Sequence, residues 1–138
     1  MKTFHLFILA PLMLLFVSCE MNKPIETSFF ETGTFRVSIL YSNEEGAVFD
    51  MDYYEQKNMP MVAEFIGNNL RGYEIDKGVV GRTSDEAAPF VAIGYFYIDD
   101  LVQYQRAISQ NRDSIIKDFK NYTTIQPVIQ ISKIQRGR

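Results

Sequence analysis

At 138 residues the chain suits a single domain. Apolar residues make up 46% and charged residues 22%, a balance that excludes general disorder. The net charge of −3, without any basic stripe, argues against nucleic acid as a partner.

Lys2 gives a short positive start, and Phe4 to Phe16 is an apolar run interrupted only by His5. That run is shorter than the roughly 20 residues a transmembrane helix needs, and it fits the apolar region of a signal peptide. Phe16-Val17-Ser18-Cys19 closes it and resembles the lipobox of bacterial lipoproteins. Residues 1–18 are therefore expected to be cleaved, with lipid on Cys19, residues 19–33 as a tether and residues 34–138 as the folded domain. The expected location is the bacterial cell envelope, anchored to a membrane; inner or outer stays open. His5 is the only histidine and Cys19 the only cysteine. Loss of the leader then excludes Cys–His nucleophiles, Ser-His-Asp triads, and His or Cys metal sites. No GxGxxG or Walker pattern occurs, so no nucleotide site is expected, and with the His and Cys ligands excluded no metal or other cofactor is expected either.

Thr34–Tyr41 alternates, with Phe35, Val37, Ile39 and Tyr41 on one side, and predicts a strand. Asp50 is placed to cap a helix that carries Met51, Tyr54, Asn58, Met61, Val62, Phe65 and Ile66 inward. Pro60 predicts a kink or break in it. Gly72–Val80 reads as a second strand and Phe90–Ile98 as a third, apolar on both faces. Asp99 or Asp100 caps a second helix, ending at Asn121 to Thr124, and Ile125–Ile134 is a last strand opened by Pro127. The order β-α-β-β-α-β predicts an α+β, ferredoxin-like fold: a four-stranded antiparallel sheet with two helices on one face. The apolar second face of strand three predicts a homodimer packed through the open sheet face.

Three segments, Ser38-Ile39-Leu40-Tyr41-Ser42-Asn43, Phe49-Asp50-Met51-Asp52-Tyr53-Tyr54 and Lys57-Asn58-Met59-Pro60-Met61-Val62, resemble the EthD family. Val91-Ala92-Ile93-Gly94 and the stretch from Asn121 to Ser132 extend the resemblance over about residues 34–134. It implies a dimeric α+β barrel with a small apolar pocket between helices and sheet. It also implies a cofactor-independent oxidoreductase or related enzyme acting on a small organic compound. The family's His-Met-Pro motif stands here as Asn58-Met59-Pro60. Asn cannot titrate, so it can orient a ligand but cannot take its proton. The alternative is therefore a non-catalytic ligand-binding or structural dimer. Asn58, Tyr54 and Asp50 are the candidate catalytic residues. Tyr41, Met61, Phe65 and Phe96 are the candidate ligand-binding residues.

Overall fold

The computed structural model describes residues 33–135. The expected leader, the expected lipidation at Cys19 and the expected tether as far as residue 32 lie outside the described residues. Among the described residues, no helix is long and apolar enough to cross a membrane.

Strand β1 (Phe35–Ser42) pairs with β3 (Phe90–Ile98) on one side and β4 (Val128–Lys133) on the other, and β2 (Leu70–Lys77) closes the far edge. The order is β2-β3-β1-β4 and every neighbouring pair is antiparallel. This is the ferredoxin-like α+β sheet that the element order predicts. Val37 stands opposite Phe96 and Tyr41 opposite Ala92. Alternation then puts Val37, Tyr41, Ala92, Phe96 and Ile98 on the helix-covered face, all at most 2% exposed. The other face carries Arg36, Ser38 and Leu40 from β1, and Val91, Ile93, Tyr95 and Tyr97 from β3. It is mixed rather than uniformly apolar. Arg36 lies over the Tyr95 ring, 5.6 Å from its centroid, and the Tyr97 hydroxyl donates to Glu74 at 2.8 Å.

Asp50 caps the first helix, its carboxylate accepting the Tyr53 N–H at 3.0 Å. The chain then runs through α1 (Met51–Tyr53), a π-helical turn (Tyr54–Asn58) and α2 (Met59–Ile66) without a break. Pro60 is the cause. It has no N–H for the carbonyl of Gln56, and its ring crowds that carbonyl. The helix widens instead of breaking, and the Met59 N–H bonds the carbonyl of Tyr54, five residues back. The extra residue resets the buried stripe. Tyr54, Asn58, Met59, Val62 and Ile66 point inward, while Met61 and Phe65 fall half-buried on its flank.

The second helix is divided. Asp100 caps α3 (Leu101–Gln110) by accepting the Gln103 N–H, and α4 (Arg112–Phe119) follows. Asn111 separates them, its amide donating back to the carbonyl of Ala107 at 2.9 Å, a local bond that competes with the helix. Two predicted strands change their bounds, β2 by starting at Leu70 instead of Gly72 and ending early, β4 by starting late. β2 ends at Lys77, opposite Ala92, so Val79 and Val80 sit exposed in the loop to β3. Ile125 belongs to no strand. It is 2% exposed and plugs the core, on a segment tied to Val48 through Thr123 and Thr124.

Candidate functional site

A cavity of about 110 Å³ lies between the β1–β4 side of the sheet and helices α2, α3 and α4. An engineered apolar cavity of about 150 Å³ takes benzene, so the scale is that of a small ring compound. Its walls are mainly aliphatic, from Ile39, Val62, Ile108, Ile115 and Ile129. Asn58, Tyr41, Tyr104 and Tyr122 supply the polar groups.

Tyr41 and Tyr122 share a hydroxyl–hydroxyl hydrogen bond of 2.8 Å inside an aromatic cluster. The Phe49 ring lies 4.8 Å from Tyr41, and the Tyr54 ring 5.4 Å from Tyr122. Burial pushes both hydroxyls well above the ordinary phenol value, with neighbouring phenols adding to it. Tyr104 is pushed up to about 12 by burial. None of these groups gives up its proton near neutrality, and among the described residues no carboxylate, lysine or histidine lines the cavity.

Asn58 is 5% exposed and is held from behind. Its Nδ2 donates to Asp118 Oδ2 at 2.8 Å. The Tyr53 hydroxyl donates to Asp118 Oδ1 at 2.6 Å, and Asn121 Nδ2 donates to the same oxygen at 3.1 Å. The widened turn makes this possible. On a regular α-helix, residues five apart face about 140° away from each other. Here Tyr53 and Asn58 reach one carboxylate. Partial burial alone would raise the pKa of Asp118, but the bonds from Asn58, Tyr53 and Asn121 outweigh it and hold the group below the usual aspartate value.

That direction gives a pH dependence. A carboxylate whose pKa is lower folded than unfolded stabilises the fold above the unfolded value of about 3.9, and loses that contribution as pH falls through the lower folded value. The urea midpoints of the wild type and Asp118→Asn, measured across pH, should therefore differ in favour of the wild type at pH 7 and converge once pH falls through the lowered Asp118 value, below the unfolded value of about 3.9. Equal stability at pH 7 would show that the network adds nothing.

Of the residues singled out from sequence, the structure brings Asn58 and Tyr41 to the cavity. Tyr54 is fully buried beside it, with its hydroxyl over Gly94 instead of in the open space. Phe96 is fully buried in the sheet core, Met61 and Phe65 are half-buried outside the lining, and Asp50 is an exposed cap. Tyr104, Tyr122 and Asp118 are the polar residues that sequence reasoning passed over. For Tyr104 a signal existed, since it follows Leu101 at helical spacing. Asp118 gave none, being one more charged residue on a helix.

No family model and no curated protein matches the chain. Solved structures do. An EthD-like protein from Ralstonia eutropha is 35% identical, over 78% of this chain and 97% of that one, with a TM-score of 0.74. An ethyl tert-butyl ether D family protein from Bacillus halodurans is 16% identical, over 72% of this chain and 97% of that one, with a TM-score of 0.50. A dimeric protein of ferredoxin-like fold from Bacteroides fragilis is 12% identical, over 75% of this chain and 98% of that one, with a TM-score of 0.42.

Proposed function

This chain belongs to the EthD family, and we propose that within it the protein is an envelope-tethered binder of a small apolar compound. The carrying observation is the cavity, whose walls are aliphatic and aromatic and whose polar groups can orient a ligand but cannot take its proton near neutrality. This favours binding over turnover. Toluene is a suitable probe of the pocket alone. It should raise the melting temperature of the wild type and leave that of Ile115→Trp, whose indole fills the space, unchanged. No shift in the wild type would overturn the pocket reading.

Two further parts of the reading rest on separate supports. The apolar run ending at Val17-Ser18-Cys19 supports lipidation of Cys19 and hence attachment to a membrane in the cell envelope. Intact-mass measurement on chain purified from a bacterial host should find a terminus at Cys19 carrying acyl mass. Cys19→Ser should remove it, and an unmodified terminus would refute the tether. Leu40, Val91, Ile93 and Tyr95 on the open sheet face support a homodimer packed sheet against sheet. Native mass spectrometry should show twice the chain mass for the wild type and the single mass for Ile93→Asp. A monomeric wild type would refute it.

A further inference from the structure

The bond between Asn58 and Asp118 fixes more than the position of the Asn58 side chain. An ionised carboxylate has acceptors only, so it must receive the NH₂ end of the amide. The amide cannot turn over without placing its oxygen against that carboxylate. Asn58 Oδ1 accepts from no described residue, its one side-chain hydrogen bond being the donation to Asp118. Nor is it sealed off, since the buried unpaired side-chain atoms among the described residues are Arg36 Nε and Tyr54 Oη. Asn58 lines the cavity and is otherwise buried. With one N–H committed to Asp118, the amide keeps its carbonyl oxygen and its second N–H uncommitted, and the oxygen is its one acceptor.

From this, and resting on the pocket reading above, we infer that the ligand is an uncharged small molecule presenting an O–H or N–H donor to Asn58 Oδ1, with Asp118 as the positioning residue that keeps this oxygen forward. An anion is disfavoured, since it would meet a carbonyl backed by a carboxylate, with no basic side chain in the lining among the described residues. A ligand with acceptors only would face Asn58 Oδ1 acceptor to acceptor and would have to turn to a tyrosine hydroxyl of the lining instead. Asp118 touches Asn58 but does not line the cavity, so it acts on the ligand through the orientation of the amide alone.

Three probes of similar size separate the possibilities: phenol has a donor, anisole has an acceptor only, and toluene has neither. Calorimetric titration of the full chain gives each binding constant. The ratio of phenol to anisole affinity should be about fivefold to tenfold higher in the wild type than in Asn58→Leu, the worth of one hydrogen bond. In Asp118→Asn the amide can turn, so the same ratio should fall while toluene affinity stays at the wild-type value. A merely structural role for Asp118 would lower all three affinities together. If toluene binds and the phenol-to-anisole ratio is the same in the wild type and both variants, the donor assignment is overturned and the pocket stands. If no probe binds the wild type, the pocket reading falls and this inference falls with it.

Discussion

Phe96→Ala should destabilise the domain by about 3–5 kcal/mol, the usual cost of deleting a buried phenyl ring. Phe96 is 0% exposed, sits opposite Val37 in the sheet and packs against the Tyr73 ring at 6.1 Å between centroids. Domains of this size are stable by about 5–15 kcal/mol in total, so the loss removes a large share of the margin. Urea titration followed by circular dichroism measures it as a lower midpoint with an unchanged slope. The experiment also separates two roles that sequence alone leaves merged. A ligand-binding Phe96 would lower toluene affinity in the folded protein. A core Phe96 lowers stability and leaves the affinity of the molecules that remain folded as it was. The cavity lining does not include it, so the second pattern is expected. A loss of affinity at unchanged stability would return Phe96 to the site.

The contrast between Phe96 and Asn58 shows where sequence reading carries and where it stops. Strand alternation has a period of two and survives contact with the sheet, so β3 runs over Phe90–Ile98 as predicted, and the inward face of β1 is the one its alternation marks. Which inward residue meets open space is a different matter. It depends on how the helices stand on the sheet, and alternation is silent on that. Pro60 was legible as a disturbance, but its outcome was not. A break and a π-helical turn both relieve the same missing N–H, and they rotate the downstream residues differently. Met59 rather than Met61 became fully buried for that reason. The Asn58–Asp118 pair spans 60 residues of sequence and joins two helices that do not pair through backbone. Asp118, like Asp113 five residues earlier, reads as ordinary helix-surface charge. The inward polar Asn58 announced that it needed a partner, without saying which.

Gly94→Ala tests the same packing from the sheet side. A Cβ at position 94 would stand 2.1 Å from the Tyr54 hydroxyl and 3.2 Å from Met59 Sδ. Tyr54 is fully buried and cannot swing aside into solvent. The substitution should therefore cost about 1–3 kcal/mol by overpacking, and more if the π-helical turn must shift. Tyr54→Phe removes the atom in the way. That hydroxyl is buried and makes no hydrogen bond of good geometry, only a weaker approach to the Tyr41 hydroxyl, so its loss alone should cost little. With it gone, the next ring atom, Tyr54 Cζ, lies 3.2 Å from the added Cβ, a tight contact that small movements relieve. The double variant should thus recover most of what Gly94→Ala loses, and the coupling should exceed about 1 kcal/mol, as expected for residues in direct contact. Additive costs in chemical denaturation would mean that Tyr54 does not stand over Gly94. In that case its hydroxyl would be free to face the cavity, and Tyr54 would return as a ligand-orienting group beside Asn58.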